Sequence, residues 1–204
     1  MERLRDWTSS LQDRLADSFA GEVLGPRRAP SGDPPDLVIG SFDDARAQAA
    51  GFDAVISIES PDSTPSTGRL QRFRAPTEPA HKVLRFRDIE DPRLPAAPAR
   101  HHVRAGLRFA RRHPGRRLLI HCHAGVSRST ALAFAILVDR HDAVGDERGL
   151  LERILELRPQ ACPNRLVVRH ADALLGCAGR MIQAVEGHPV IQETRRRNFS
   201  PPGV

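Results

Sequence analysis

Short apolar runs alternate with amphipathic stretches along most of the chain. Four runs have the length and composition of buried strands, and they lie at 37–40, 53–58, 82–86 and 118–121. Apolar residues at a spacing of three and four predict helices, which lie at 44–50, 99–112, 129–139, 146–157 and 164–185. Strands that alternate with helices build parallel sheets. We therefore predict an α/β fold with a central, twisted, mainly parallel sheet flanked by helices.

The two ends of the chain differ from this central pattern. Near the N-terminus, apolar residues recur at helical spacing among charged ones, at Leu4, Trp7, Leu11, Leu15 and Phe19. They predict an amphipathic helix that docks on its own domain, with a membrane surface or a partner protein as the alternatives. A Pro- and Gly-rich linker follows at 25–35. We assign 1–35 to this helix and linker, 36–185 to one globular domain and 186–204 to a basic, flexible tail.

Composition supports a single core and an anionic ligand. The 204 residues are 40% apolar, which is enough for one buried core. There are 31 basic and 25 acidic residues, the net charge is +6, and all basic residues except Lys82 are arginine. This excess favours an anionic substrate or partner, although a merely solvated Arg-rich surface would give the same total. Few aromatic residues and no Tyr argue against specific binding of nucleic acid.

Cysteine usage and hydropathy indicate a reducing compartment. The three cysteines, Cys122, Cys162 and Cys177, are odd in number and lack CxxC spacing, so no disulfide framework or Cys-rich zinc site is expected. Cys162 and Cys177 are expected to be buried structural thiols, with redox partnership to Cys122 as the alternative. No apolar stretch approaches the roughly 20 residues of a membrane span, and the N-terminus lacks the apolar core of a signal peptide. We expect a cytoplasmic protein without a membrane span.

The sequence HCHAGVSRS, residues 121–129, concentrates the candidate chemistry. A buried strand delivers Cys122 to its carboxyl end, where parallel sheets bind ligands, and Arg128 opens a helix. A loop that leads into a helix N-terminus gathers backbone N–H groups into a nest for an anion. Gly125 permits the tight curvature of such a loop.

These groups together predict a phosphoryl-transfer site. The N–H groups that hold a phosphate also stabilise a thiolate, so Cys122 is expected to be a nucleophile at neutral pH. Arg128 carries a permanent charge on a planar fork of donors and grips two phosphate oxygens at once. Thiolate, amide nest and guanidinium describe phosphoryl transfer through a cysteinyl-phosphate intermediate.

A metal site is the alternative interpretation of the same motif, since His-Cys-His is ligand-like. In an extended chain His121 and His123 share one face while Cys122 points the other way, so the three do not converge easily. No metal and no cofactor are therefore expected.

The segment 121–129 resembles the signature His-Cys-x-x-Gly-x-x-Arg-Ser/Thr of the cysteine-dependent protein tyrosine phosphatase superfamily, and every fixed position matches. The resemblance implies that Cys122 attacks phosphorus and that Arg128 binds the phosphate and the transition state. It implies that His121 orients the loop and that Ser129 donates a hydrogen bond to the sulfur. The residues that would surround the substrate phosphate are His123, Ala124, Gly125, Val126, Ser127 and Arg128.

Two further elements resemble the dual-specificity branch of this superfamily. There the general acid is an Asp that follows a strand upstream of the cysteine. Asp88 matches it best, with Asp91 in reserve and simple solvation of the loop as the other interpretation. The segment RPQACPNRL, residues 158–166, resembles the R-P-x-x-x-P-N element, whose Asn supports the phosphate loop. Asn164 takes that role here, caps the last helix, or does both.

The resemblance covers about residues 36–180 and implies a protein phosphatase. The partner of this chain would be a phosphorylated protein that it dephosphorylates at phosphotyrosine. A shallow pocket would also admit phosphoserine and phosphothreonine. Phosphatases for phosphoinositides, sugars or RNA 5′ ends use the same loop and are one alternative. A phosphate-binding pseudophosphatase that acts as a scaffold is the other.

Overall fold

A four-stranded sheet forms the centre of the protein in a computed structural model that describes residues 37–73, 77–141 and 145–199. The strands are β1 (Leu37–Gly40), β2 (Ala54–Glu59), β3 (Ala80–Arg85) and β4 (Leu118–His121). They lie in the order β1-β4-β2-β3, and every pairing is parallel. This confirms the predicted α/β fold. The predicted N-terminal helix and linker fall outside the described residues.

Helices cover both faces of the sheet. In the described part of the chain they are α1 (Phe42–Gln48), α2 (Arg100–Arg112), α3 (Arg128–Arg140), α4 (Glu147–Leu157), α5 (Arg165–Leu175), α6 (Arg180–Glu186) and α7 (Pro189–Phe199). Strand side chains alternate between the two faces. Ile56 and Ile120 belong to the larger core with helices α2 to α7, whereas Val55 and Leu119 pack in a smaller cluster with Ala45 of α1. The sheet is therefore the middle layer of three.

Helix α3 is the central helix of the larger core. All of its residues from 128 to 139 are buried, as its apolar sequence predicts. The carboxylate of Asp139 is only 1% exposed and pairs with Arg111 of α2, whose Nε and terminal nitrogen both donate to it. A charge buried this deeply requires such a partner.

The structure divides the predicted helix 164–185 into α5 and α6. Gly176 has a φ of 68°, the left-handed conformation that ends a helix. The buried carboxylate of Asp172 then accepts hydrogen bonds from the N–H groups of Gly179 and Met181, at 2.8 and 3.1 Å, and so begins α6. The apolar pattern continues across this break, so the prediction of one long helix is wrong.

The structure also differs from the predicted flexible tail, because residues 189–199 form α7. Ile191 is 1% exposed, and Arg195 forms an ion pair with Glu90 in the loop that follows β3. Glu193 pairs with Arg196 and Arg197 at the helical spacings of three and four. In the sequence, the run of arginines at 195–197 suggests a solvated tail. In the structure, the same arginines form ion pairs that stabilise a helix.

Across the three described segments, no helix is both long enough and apolar enough to cross a membrane. The same segments hold no group of three or more His, Cys, Asp or Glu side chains placed to bind a metal ion.

Arg111→Ala is expected to lower the free energy of unfolding by about 3–5 kcal/mol, because it leaves the buried Asp139 carboxylate without this cation. Arg112→Ala is the matched control, since Arg112 is exposed, and it should change stability by less than about 0.5 kcal/mol. Urea unfolding measures both values. Equal effects of the two substitutions would show that the loss of stability does not come from the ion pair with Asp139.

Candidate active site

The loop formed by residues 122–127 joins β4 to α3 at the carboxyl edge of the sheet. Because β4 lies between β1 and β2, this loop leaves the middle of the sheet. Cys122, Gly125 and Ser127 are buried in it, whereas His123 and Ala124 are exposed. The predicted signature residues therefore lie in one short segment with an exposed rim.

Every carbonyl oxygen of the 122–127 loop accepts a hydrogen bond from outside the loop. The donors are the imidazole of His121 for Cys122, the N–H of Phe42 for His123, the guanidinium of Arg158 for Ala124 and Gly125, the N–H of Cys162 for Val126, and the N–H of Asn164 for Ser127. A trans peptide directs its C=O and N–H groups to opposite sides. The N–H groups of residues 123–128 consequently point away from these donors, and we expect them to face the concave side of the loop. Such an arrangement of N–H groups binds anions.

Gly125 lies where the loop closely approaches Gly40 and Arg158. It has a φ of 70°, and a Cβ there would lie 2.7 Å from the carbonyl group of Gly40 and 2.8 Å from the guanidinium of Arg158. Both the backbone conformation and the lack of space require glycine. Arg158 is positioned in turn by Asp44, whose carboxylate lies 3.4 Å away. Hydrogen bonds with Ser41, and then the nearby Arg158, hold the pKa of Asp44 below its usual value.

Cys122 and Arg128 flank the loop, and both are nearly inaccessible. Cys122 is 2% exposed, with its Sγ 3.2 Å from the hydroxyl of Ser129. Arg128 is 4% exposed and donates to the carbonyl of Phe86 at 3.0 Å and to the hydroxyl of Ser60 at 3.2 Å. Its Nε has no hydrogen-bond partner among the described residues. Hydrogen bonds from Nη1 therefore hold the guanidinium in place, and its remaining N–H groups can bind an oxyanion.

The structure brings Asp88, rather than Asp91, to this loop. Oδ1 of Asp88 accepts hydrogen bonds from the hydroxyl of Ser127 at 2.7 Å and from the amide of Asn164 at 2.8 Å. Oδ2 of Asp88 lies 3.8 Å from Nε of Arg128. Asp91 instead pairs with an exposed arginine of its own loop. Of the two candidate acids, Asp88 is the one beside the anion nest.

Asn164 combines the two predicted functions. Its Oδ1 accepts hydrogen bonds from two N–H groups in the first turn of α5, both at 3.1 Å, and so caps this helix. Its Nδ2 donates to Asp88 and, at 3.2 Å, to the carbonyl of Ile89. Its backbone N–H donates to the carbonyl of Ser127. One buried residue thus joins α5, the segment after β3 and the 122–127 loop.

A chain of hydrogen bonds runs from His121 into the sheet. His121 lies opposite Ser57 in the pairing of β4 with β2, and Nε2 of His121 is 2.7 Å from the hydroxyl of Ser57. The same hydroxyl is 2.7 Å from Nε2 of His81 on β3. Nδ1 of His121 faces the carbonyl of Cys122 at 3.2 Å and must carry the proton, because a carbonyl only accepts. Ser57 therefore donates to His121 and accepts from His81.

Burial keeps both histidines of this chain uncharged. It lowers the pKa of His121 to about 4, and repulsion from Arg128 and Arg72 acts in the same direction. It also lowers the pKa of His81 to about 4, again with repulsion from Arg72. Both imidazoles are thus neutral at pH 7, as the acceptor role of Nε2 in His121 requires.

Three residues of this arrangement were missed by sequence reasoning: Arg158, Ser57 and His81. Arg158 is the first residue of the R-P-x-x-x-P-N element, so the motif contained a signal for it. Ser57 is a polar residue inside an apolar buried strand, and such a residue must find a hydrogen-bond partner. His81 has no comparable signal in the sequence, since its partner is 24 residues away.

The two remaining cysteines are buried in the large core. Burial raises the pKa of Cys162, and it raises the pKa of Cys177 to about 11. Protonated thiols are poor nucleophiles, which favours the interpretation of both as structural residues. The backbone N–H of Cys162 nevertheless supports the 122–127 loop at Val126.

The fold has known counterparts, although no protein-family model and no curated protein sequence matches the chain. Human DUSP28 is 22% identical and superposes over 71% of this chain and 94% of its own, with a TM-score of 0.50. PTPMT1 is 16% identical and superposes over 72% of this chain and 95% of its own, with a TM-score of 0.51. The human tyrosine phosphatase-like serine/threonine/tyrosine-interacting protein is 17% identical, with coverages of 67% and 88% and a TM-score of 0.50. At these identities the similarity establishes the fold.

Gly125→Ala is expected to abolish anion binding by the loop, because the new methyl group clashes with Gly40 and Arg158. Gly115→Ala is the matched control: its φ of 66° is similar, but no atom lies within 4 Å of a Cβ there. Both substitutions cost about 1–2 kcal/mol of backbone strain. The rise in unfolding temperature caused by tungstate measures binding. The same response to tungstate in both variants would contradict the expectation.

Acidification is expected to destabilise the fold between pH 6.5 and about 4, because His81 and His121 take up protons there in the unfolded chain but not in the folded one. Each histidine lowers the free energy of unfolding by up to about 1.4 kcal/mol per pH unit in this range. His81→Gln should make the fall shallower, whereas the exposed His141→Gln should leave it unchanged. Urea unfolding at several pH values checks this, and an unaltered slope in His81→Gln would refute it.

Proposed function

We propose that this chain, which has the fold of the dual-specificity and protein tyrosine phosphatases, hydrolyses phosphate monoesters on proteins through a cysteinyl-phosphate intermediate. Phosphotyrosine is the first candidate substrate, followed by phosphoserine and phosphothreonine. One observation carries the proposal: Cys122 and Arg128 flank an inward-facing amide nest, and Asp88 is hydrogen-bonded to Ser127 of that nest. This arrangement supports a reaction in which a nucleophile, oxyanion donors and a proton donor act on one phosphate group.

In the first step the thiolate of Cys122 attacks phosphorus while the bond from phosphorus to the ester oxygen breaks. The loop amides and Arg128 bind the non-bridging oxygens, whose charge they stabilise as the transferring group becomes planar. Asp88 gives its proton to the leaving oxygen, which departs as an alcohol or phenol. The phosphoryl group is then bonded to sulfur.

In the second step water hydrolyses this thiophosphate ester. The Asp88 carboxylate accepts a proton from the attacking water, so the acid of the first step is the base of the second. The bond from phosphorus to sulfur breaks, and the sulfur leaves as a thiolate. The hydroxyl of Ser129, 3.2 Å from Sγ, donates a hydrogen bond to the sulfur as its charge develops. Phosphate then leaves the loop.

A phosphatase for inositol lipids is the second candidate, because PTPMT1, which shares the fold, has been crystallised in complex with PI(5)P. The arginine-rich surface suits a polyanion. Enzymes of this superfamily for multiply charged lipids usually carry lysine within the loop, and HCHAGVSRS has none. This difference favours the protein substrate. Turnover of phosphopeptides compared with that of inositol phosphates decides between the two.

Cys122→Ser is expected to abolish hydrolysis of an aryl phosphate while retaining phosphopeptide binding. The serine hydroxyl is not ionised at neutral pH, whereas the amide nest and Arg128 remain. The assay contains EDTA, and calorimetry measures binding to the variant. Turnover that survives in Cys122→Ser would eliminate cysteine catalysis. Binding without turnover in the wild type would instead identify a phosphate-binding scaffold.

Asp88→Ala is expected to slow alkyl phosphates by at least about 100-fold, because a poor leaving group depends on the proton donor. Aryl phosphates with good leaving groups should be slowed much less. Asp91→Ala is the matched control in the same loop and should behave like the wild type. Steady-state kcat/KM for both ester classes makes the comparison. The same pattern from Asp91→Ala would transfer the general acid to that residue.

A further inference from the structure

The carboxylate of Glu90 connects the segment that carries Asp88 to two helices distant in sequence. Each of its oxygens accepts two hydrogen bonds. Arg165 donates from its backbone N–H and its Nε, both at 2.8 Å, and Arg195 donates from both terminal nitrogens at 3.1 Å. The fork of Arg195 therefore meets the carboxylate in the bidentate geometry that makes ion pairs strong and directional. Arg165 begins α5, whereas Arg195 belongs to α7.

Residues 86–99 contain no helix or strand, so their tertiary contacts position Asp88. A hydrogen bond from the N–H of Arg87 to the carbonyl of Ala96 joins the two ends of this 86–99 segment. Residues 88–90 are also joined to the body of the protein by hydrogen bonds and ion pairs with Ser127, with Arg128, with Asn164 and Arg165 at the start of α5, and with Arg195. The position of Asp88 therefore depends in part on α7.

Helix α7 is anchored firmly enough to act as a support. Ile191 is 1% exposed and lies one helical turn before Arg195, on the same side of the helix. Arg195 also donates to the carbonyl of Pro163, at 3.4 Å. The next two arginines differ: Arg196 and Arg197 are 72% and 75% exposed and pair with Glu193 of their own helix. Only one residue of the Arg-Arg-Arg run therefore reaches the Asp88 segment.

Glu90 remains charged in this setting. Burial alone would raise its pKa, but the N–H of Arg165 and the guanidinium groups of Arg195 and Arg165 hold the pKa below its usual value. Without Arg195 this half-buried carboxylate would keep only its hydrogen bonds from Arg165, so the backbone two residues from Asp88 would be held less firmly.

We propose that Arg195 and Glu90 are positioning residues, through which the C-terminal helix α7 holds Asp88 at the leaving oxygen of the substrate. The inference rests on the proposed function for the role of Asp88. It gives Arg195 of α7 a supporting role in catalysis, although this residue does not belong to the signature.

The test compares Arg195→Ala with Arg196→Ala, its neighbour in the same helix. Arg195→Ala should lower kcat/KM for an alkyl phosphate by about 10-fold or more, a part of the 100-fold or larger contribution of a general acid. It should change hydrolysis of an aryl phosphate with a good leaving group little, and Arg196→Ala should change neither. Glu90→Gln removes the charge from the other side of the ion pair and should reproduce the effect of Arg195→Ala.

The Asp88→Ala background separates positioning from a general loss of structure. If Arg195 acts through Asp88, adding Arg195→Ala to Asp88→Ala should cause no further loss with either ester. A further loss in this background, or equal slowing of both esters by Arg195→Ala alone, would overturn the proposal.

Hydrogen exchange tests the positioning without any need for turnover. The backbone amides of residues 87–91 should exchange faster in Arg195→Ala than in the wild type, whereas Arg196→Ala should leave them unchanged. Unchanged protection in Arg195→Ala would overturn the proposal. Failure of the proposed function would give a different result, because activity would then be absent from the wild type or would persist in Cys122→Ser.

Discussion

The outward hydrogen bonding of the carbonyl groups of residues 122–127 is the constraint on which the site depends. A short loop can bind an anion only if its N–H groups face inward, and they do so only if the carbonyl groups on the opposite side are satisfied. The donors come from α1, from the segment between α4 and α5, and from His121 at the end of β4. The anion nest is thus produced by the packing of the fold around it.

The electrostatic field at this site depends on a charged Arg128 and a neutral His121. Arg128 is buried with its charge: its hydrogen bonds go to the neutral oxygens of Ser60 and Phe86, and the carboxyl group of Asp88 lies 3.8 Å from its Nε. His121 adjoins it in space, and burial keeps this imidazole neutral at pH 7. A neutral His121 donates to the loop carbonyl and accepts from Ser57 at once. The hydrogen-bond chain therefore orients the loop without adding a second cation next to Arg128.

The parallel sheet explains why the candidate catalytic groups meet. In such a sheet all strands end at the same edge, and the loops that follow them share one crevice. The segment after β3 supplies Asp88, and the loop after β4 supplies Cys122 and Arg128. The order β1-β4-β2-β3 separates these two loops by one strand, β2. Ser60, directly after β2, contacts Arg128 and fills this gap.

Features that contiguous residues encode are predictable from the sequence alone. The apolar runs define the strands, the strand-loop-helix unit places Cys122 before an anion nest, and a spacing of six puts Arg128 at the start of α3. Tertiary contacts bring Asp88, and not Asp91, to the 122–127 loop, because the partners of Asp88 lie 39 and 76 residues away. The basic C-terminal segment forms a helix that an ion pair joins to Glu90, 105 residues away in the chain. A contact between distant residues leaves no periodicity or composition in either segment, so only the folded chain reveals it.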